Sequence, residues 1–99
     1  MLNIIKKTEG TTLTVALEGR LDTTTAPQFE AELKSALPGM TSVVMDFEKL
    51  EYISSAGLRV LLSAQKIMNK QGEMKLINVS DVINEIFEVT GFSDILNIE

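Results

Sequence analysis

The sequence predicts a mixed α/β fold: a mainly parallel sheet of four or five strands that starts with an N-terminal hairpin and is flanked by three or four helices. Two observations predict this class. Residues 12–18 alternate between polar and apolar side chains, which is the period of a strand with one buried face. Beyond them, apolar residues at helical spacing alternate with short apolar runs. Such strand–helix–strand crossovers imply parallel neighbours joined by right-handed connections.

The first two strands are predicted to form the hairpin. Residues 2–8 make the first strand, and Gly10 allows a tight turn over 9–11 because glycine tolerates a positive φ. On the second strand, the residues of the buried face are Leu13, Val15 and Leu17.

A first helix is predicted after residues 19–22. Thr25 and Gln28 have the spacing of a threonine-x-x-glutamine capping box, and Pro27 is tolerated in a first helical turn. The helix should stop at Pro38, which a glycine follows. Its apolar residues at helical spacing are Phe29, Leu33, Ala36 and Leu37.

The third strand is predicted over residues 42–47, and a short irregular piece over 48–53. Because Val43, Val44 and Met45 are consecutive apolar residues, this strand is predicted to be covered on both faces, as in a parallel sheet.

A second helix is predicted to open with residues 54–57 and to run to about Lys70. Gly72 then serves as its C-terminal cap. The predicted buried stripe of this helix is Val60, Leu61, Ala64, Ile67 and Met68.

The last elements are a fourth strand, a third helix and an apolar tail. The strand covers residues 73–78, Ser80 caps the helix, and Gly91 ends it. Residues 92–98 form either a short helix or an edge strand. The inner face of the third helix is Ile83, Ile86 and Phe87.

Length and composition predict a single domain, residues 1–99. They favour a module that binds a partner, and they disfavour an enzyme. The chain has no cysteine and no histidine, so it offers no thiolate nucleophile, no imidazole base and none of the usual zinc ligands. We therefore expect no catalytic residue, no metal and no cofactor in this chain.

Charge and hydropathy restrict the partners and the location. The formal net charge of −5 disfavours nucleic acid and anionic membranes, and favours a protein with a basic face. No apolar run approaches the ~20 residues that span a bilayer, and the first residues lack the charge order of a secretory signal. Together with the missing cysteine, these features predict a cytoplasmic protein without membrane insertion.

Two adjacent serines, Ser54 and Ser55, precede the second helix and admit two interpretations. Serine is a favoured N-cap, worth about 1 kcal/mol relative to alanine, and this structural role alone explains both. Gly57, however, lies inside the first turn, where glycine costs roughly 0.5–1 kcal/mol against alanine. That cost suggests that something approaches the backbone closely at this point.

Six stretches of the sequence resemble the signature of one family. They are Val44-Met45-Asp46-Phe47, Leu50-Glu51-Tyr52-Ile53, Ser54-Ser55-Ala56-Gly57-Leu58, Gly19-Arg20-Leu21-Asp22, Gln71-Gly72-Glu73 and Gly91-Phe92. This pattern resembles STAS domains, and most of all bacterial anti-sigma-factor antagonists. The resemblance covers essentially the whole chain in order.

The resemblance implies a partner switch controlled by phosphorylation. It places the phosphorylated serine of the family on Ser55, while Ser54 stands where the family has Asp and is an alternative phosphosite. The unmodified chain would bind an anti-sigma factor that is also a serine-protein kinase. Phosphorylation would break that complex, and a PP2C-type phosphatase would restore it; ATP and magnesium would belong to the kinase. The residues expected to bind the partner are Asp22, Thr23, Ser54, Ser55, Ala56, Gly57 and Arg59.

A second function stays open, and so do the roles of three residues. The same resemblance fits a non-phosphorylated STAS accessory or scaffold subunit, for example of a lipid-transport or signalling complex. Asp22 is either a turn residue or part of the binding surface. Arg59 is either solvated or in contact with the partner or the phosphate. Asp46 has no clear second ligand in the sequence, which favours a hydrogen-bonding role over metal binding.

Overall fold

The computed structural model describes the whole chain, Met1–Glu99. The chain begins with a hairpin of two strands, after which helices and strands alternate, in the order β1, β2, α1, β3, α2, β4, α3. The elements are β1 (Leu2–Glu9), β2 (Thr12–Leu21), α1 (Ala26–Ala36), β3 (Ser42–Ile53), α2 (Ser55–Gln71), β4 (Glu73–Ile77) and α3 (Asp81–Thr90).

The strands form one four-stranded sheet in the order β1-β2-β3-β4. β1 pairs with β2 in antiparallel sense, whereas β2, β3 and β4 run parallel. After α3, a 3₁₀ turn over Phe92–Asp94 leads to a single parallel bridge between Ile98 and Leu76 of β4. The predicted mixed sheet with an N-terminal hairpin is confirmed, and the tail combines a short helix with an edge bridge.

Only one face of the sheet is covered, which corrects the prediction for β3. Val43 and Met45 point into the core and are fully buried, whereas Val44 between them is only half-buried on the outer face. Ile5, on the same outer face of β1, is 52% exposed. A β-branched valine suits a half-buried pleated surface without a second layer, so three consecutive apolar residues did not require double coverage.

β3 extends through residues 48–53, which the sequence predicted to be irregular. Its pairing with β2 shifts twice, between Ala16 and Glu18 and again between Gly19 and Arg20, and each shift gives β3 one extra residue. The buried residues of this half therefore recur every third position, as Phe47, Leu50 and Ile53. Because such bulges break the two-residue period, the pattern did not resemble a strand.

The helices pack on the inner face and complete one core. Phe47 of β3 lies against Phe87 of α3, with ring centroids 6.4 Å apart. The predicted stripe of α2 is buried except for Ile67, which is 37% exposed at the edge of a shallow groove facing α1. Of the other predicted inward positions, Ala36 and Ile86 are half-buried against the core. Those that are buried are Phe29, Leu33, Leu37, Ile83 and Phe87.

The helix ends follow the predicted caps in α2 and α3 but not in α1. Ser54 Oγ accepts from Gly57 N at 3.4 Å, and Ser80 Oγ accepts from Ile83 N at 3.3 Å. Thr25 makes no side-chain cap hydrogen bond, so the predicted capping box is wrong. Its hydroxyl instead donates to the carbonyl oxygen of Arg20 at 2.9 Å.

Gly72 ends α2 as predicted, for a steric reason. Its φ of 169° is extended backbone that any residue could adopt. A Cβ at this position would, however, collide with the carbonyl group of Thr41. No helix of this fold is long and apolar enough to cross a membrane.

Candidate functional site

The two segments that the sequence singled out meet at one edge of the sheet. β2 and β3 are parallel and end side by side, with Leu21 paired to Ile53. Ser54 N donates to the carbonyl oxygen of Leu21 at 2.9 Å, which joins the start of α2 to the loop between β2 and α1. We call this surface the Ser55 edge; it comprises Asp22, Thr23, Ser54, Ser55, Ala56 and Arg59.

The two serines have different surroundings. Ser54 is extended, with φ −96° and ψ 173°, and its half-buried hydroxyl oxygen accepts the N–H of Gly57 as the N-cap of α2. Ser55 is the first helical residue, and its exposed side chain makes no hydrogen bond within the chain. The structural role of a serine cap therefore belongs to Ser54, and the hydroxyl of Ser55 stands free.

Gly57 is a buried packing position of α2. A Cβ at this residue would lie 2.7 Å from Cγ of Leu21 and 3.0 Å from Cγ1 of Ile53. The close approach suggested by the sequence is therefore made by the ends of the chain's own β2 and β3. Through this contact the glycine sets α2 tightly against the sheet and fixes where Ser55 emerges.

Asp22 organises the loop between β2 and α1. Its Oδ1 accepts from Thr24 Oγ1 at 2.7 Å, from Thr24 N at 3.0 Å and from Thr25 N at 3.1 Å. The hydrogen bond from the Thr24 hydroxyl is the main cause that lowers the pKa of Asp22, with the backbone N–H groups adding to it against a partial desolvation. The carboxylate thus stays charged while it holds the loop in one conformation.

The second oxygen of Asp22 and the neighbouring Thr23 complete the loop surface. Asp22 Oδ2 lies 4.0 Å from Nε of Arg20, and Thr23 is exposed without a side-chain hydrogen bond. The two interpretations of Asp22 are therefore compatible, because one oxygen shapes the turn while the half-buried carboxylate remains part of the surface.

A pair that sequence reasoning missed extends this surface. The guanidinium carbon of Arg20 lies 4.4 Å from the centre of the Tyr52 ring, a cation–π contact between the ends of β2 and β3. Tyr52 is 37% exposed, although it is a large aromatic side chain. The two residues face each other only after both register shifts in β3 are known, so no local signal in the sequence could have paired them.

Arg59 lines an open depression between the starts of α1 and α2. Thr23, Ala26 and Ala56 line the same depression. Arg59 is exposed and forms no salt bridge within the chain. Its cation is therefore available to a charged group that arrives at this edge.

The acidic residues of β3 divide into one bonded and two exposed groups. Asp46 Oδ1 accepts from Glu48 N at 3.0 Å and from Asn78 Nδ2 at 3.1 Å, so it is a hydrogen-bonding residue at the sheet surface. Glu48 and Glu51 are exposed. Nowhere in the chain do three His, Cys, Asp or Glu side chains gather in a group that could hold a metal ion.

Comparison with known proteins gives a consistent picture. Residues 3–99 match the STAS domain family. The chain is 42% identical over 85 residues to BtrV of Bordetella bronchiseptica, which is named as a candidate anti-sigma factor antagonist, covering 84% of this chain and 73% of that protein. It is 30% identical over 99 residues to the anti-sigma-B factor antagonist of Staphylococcus aureus, covering 98% of this chain and 92% of that protein.

Solved structures show the same fold at low sequence identity. The unphosphorylated form of the anti-sigma factor antagonist SpoIIAA superposes with a TM-score of 0.77 at 20% identity, covering 98% of this chain and 87% of that chain. The phosphorylated form of SpoIIAA, described as a Bacillus cell fate determinant, gives 0.76 at 21% identity, with 98% and 91% covered.

Proposed function

This chain belongs to the STAS domain family, and on that premise we propose that it is an anti-sigma factor antagonist whose partner binding is abolished by phosphorylation of Ser55. In its unmodified form it binds an anti-sigma factor that is also a serine-protein kinase, and this binding releases the sigma factor. The observation that carries the proposal is the exposed hydroxyl of Ser55, free of hydrogen bonds, at the first residue of α2.

The relatives support one part of this proposal, the role of an anti-sigma factor antagonist. Two similar proteins carry antagonist names, and the Staphylococcus aureus protein is matched over nearly its full length. SpoIIAA, which shares the fold, exists in a phosphorylated form. Choosing Ser55 over Ser54 rests on this chain's own geometry, because Ser54 is occupied as a cap.

The chemistry needs only one group from this chain. The kinase transfers the γ-phosphoryl group of ATP to Ser55 Oγ: a new P–O bond forms, the bond between the γ-phosphorus and the bridging oxygen breaks, and ADP leaves. The hydroxyl proton passes to a base of the kinase. A PP2C-type phosphatase hydrolyses the phosphoserine and returns the free hydroxyl. ATP and magnesium are bound by the kinase, so this chain needs no cofactor of its own.

Phosphorylation at this position should break the complex without unfolding the domain. A phosphoserine adds about −1.5 to −2 charges near neutral pH. At the start of a helix those charges are tolerated, because the unpaired N–H groups of the first turn carry partial positive charge. In a packed interface the same group adds bulk and must lose its water, and every 1.4 kcal/mol lost weakens binding about tenfold.

The charge of the surface indicates what kind of partner face fits. The chain has a net charge of −5, and Asp22 and Glu51 lie near the adjacent ends of β2 and β3, with Glu48 exposed further back on β3. A basic face on the anti-sigma factor would complement this rim and speed association.

The direct test is phosphorylation in solution. We expect that incubation with anti-sigma factor kinases from the same genome and ATP adds a single phosphate, which mass spectrometry assigns to Ser55. Ser54→Ala should still be phosphorylated and Ser55→Ala should not. A phosphate on Ser54 would move the switch to the other serine, and no phosphate with any kinase that binds the chain would favour the non-phosphorylated accessory role.

A further inference from the structure

Arg59 lies on α2 four residues after Ser55. Residues at this spacing are neighbours on a helix surface, with Cβ atoms about 5–6 Å apart. Helical side chains lean toward the N-terminus of their helix, a tendency that favours contact between Arg59 and the turn that contains Ser55. Arg59 lines the open depression together with Thr23 and with Ala56, the residue after Ser55.

We propose that Arg59 binds the phosphate of phosphorylated Ser55 within the same molecule. The guanidinium group is a planar fork of N–H donors that matches two phosphate oxygens, and it keeps its charge at every physiological pH. The pair rests on the proposed function in one respect, since it presumes that Ser55 is the residue that carries the phosphate.

The other arginine of this surface is already engaged. Arg20 stacks on Tyr52 at 4.4 Å, and its Nε lies 4.0 Å from Asp22 Oδ2. To reach a phosphate on Ser55, it would have to leave both partners. Arg59 has no salt bridge to break, so it is the cation that the phosphate can recruit without the loss of an existing ion pair.

The other charged groups near this position act against the phosphate. Glu30 of α1 lines the same depression as Arg59, and Asp22 and Glu51 flank the start of α2. These carboxylates disfavour a second negative charge on the phosphate and raise its pKa, whereas Arg59 favours that charge and lowers it. The second pKa of the phosphate therefore reports directly whether Arg59 is paired with it.

The pair would give the modification a fixed position. A phosphate bound by Arg59 stays over the first turn of α2, within the surface that contacts the partner, rather than swinging into solvent. It also neutralises the one exposed cation of the Ser55 edge that is unpaired before modification. The phosphorylated surface then presents neither the free hydroxyl nor the free guanidinium to the anti-sigma factor.

The test uses the full chain with phosphoserine incorporated at position 55 during translation, so that it depends on no kinase. Phosphorus NMR across a pH series gives the second pKa of the phosphate. We expect Arg59→Gln to raise this pKa by about 0.5, as for a partly exposed ion pair. Arg59→Lys should raise the phosphate pKa less than Arg59→Gln does. High salt should reduce the pKa difference between Arg59→Gln and the unsubstituted protein.

Two controls separate this pair from general charge effects. Lys66→Gln removes the same charge from an exposed position further along α2 and should leave the phosphate pKa unchanged. Arg20→Gln tests the other arginine. Equal pKa values in the unsubstituted and Arg59→Gln proteins, or a rise only in Arg20→Gln, would overturn the proposal. Because the phosphoserine is introduced during translation, that result does not bear on the choice of Ser55 as the phosphosite. The kinase experiment tests that choice separately.

Discussion

Asp22 shows how a single side chain can serve both the fold and the surface. Three hydrogen-bond donors from Thr24 and Thr25 converge on its Oδ1 and hold the pKa of the carboxyl below its ordinary value of 3.8. Since the ionised form is the one stabilised in the folded state, this group stabilises the fold fully above its ordinary pKa. The contribution is lost as the pH falls through the lower pKa of the folded state.

We expect Asp22→Asn to lower stability at neutral pH and to show a smaller disadvantage in acid. The amide cannot supply the negative charge that strengthens these hydrogen bonds. Urea unfolding at about pH 7 and about pH 3 would measure the difference between the two proteins at each pH. Asp94→Asn is the control, because the Asp94 carboxylate accepts no hydrogen bond and forms no salt bridge. A constant difference at both pH values would contradict the charge-based role.

On the scale of elements, the start of α2 contains one serine that caps the helix, Ser54, and one whose hydroxyl has no hydrogen-bond partner, Ser55. The hydroxyl of Ser54 accepts the N–H of Gly57, so Ser54→Ala should reduce the free energy of unfolding by about 1 kcal/mol. Ser55→Ala removes a hydroxyl with no partner and should change it by less than about 0.5 kcal/mol. Denaturant unfolding of both variants measures the two values. Equal losses would mean that Ser55 Oγ also bonds within the fold.

The order of the elements was predictable because their periods are regular. Alternation in β2 and helical spacing in α1, α2 and α3 depend only on local sequence, and the caps of α2 and α3 are correct. The second half of β3 was not predictable, since each of its bulges moves the buried face by one residue. The capping box of α1 failed because the Thr25 hydroxyl is used by the preceding loop, where it accepts from Asp22 N and donates to the Arg20 carbonyl.

The candidate site followed from the sequence only in part. That Asp22, Thr23 and residues 54–59 meet follows from parallel pairing, which brings the ends of β2 and β3 together. The contact of Arg20 with Tyr52 depends on the register, and the difference between the two serine hydroxyls depends on which of them caps the helix. Neither is encoded in a spacing that can be recognised along the chain.

At the scale of the whole molecule, a charge at position 55 should weaken partner binding without lowering the stability of the fold. We expect Ser55→Asp to keep the stability of the unsubstituted protein and to bind the anti-sigma factor kinase at least about tenfold more weakly, since the added charge must be desolvated in the interface. Calorimetry measures the binding and thermal unfolding measures the stability.

The matched control is Ser35→Asp, which adds the same charge to an exposed serine near the end of α1. It should bind like the unsubstituted protein, because α1 borders the Ser55 edge with its start rather than with its last turn. Equal weakening in both variants would indicate that net charge, rather than the place of the charge, governs the interaction.

The bridge between Ile98 and Leu76 has a consequence for how copies of this protein behave at high concentration. Leu76 N donates to the Asn97 carbonyl, and Glu99 N donates to the Leu76 carbonyl, so the outward hydrogen-bonding groups of β4 at this position are already occupied. An open strand margin would be a template on which a neighbouring copy could add and begin a fibril. Residues 97–99 therefore close this position of the β4 edge to the addition of a strand from a neighbouring copy.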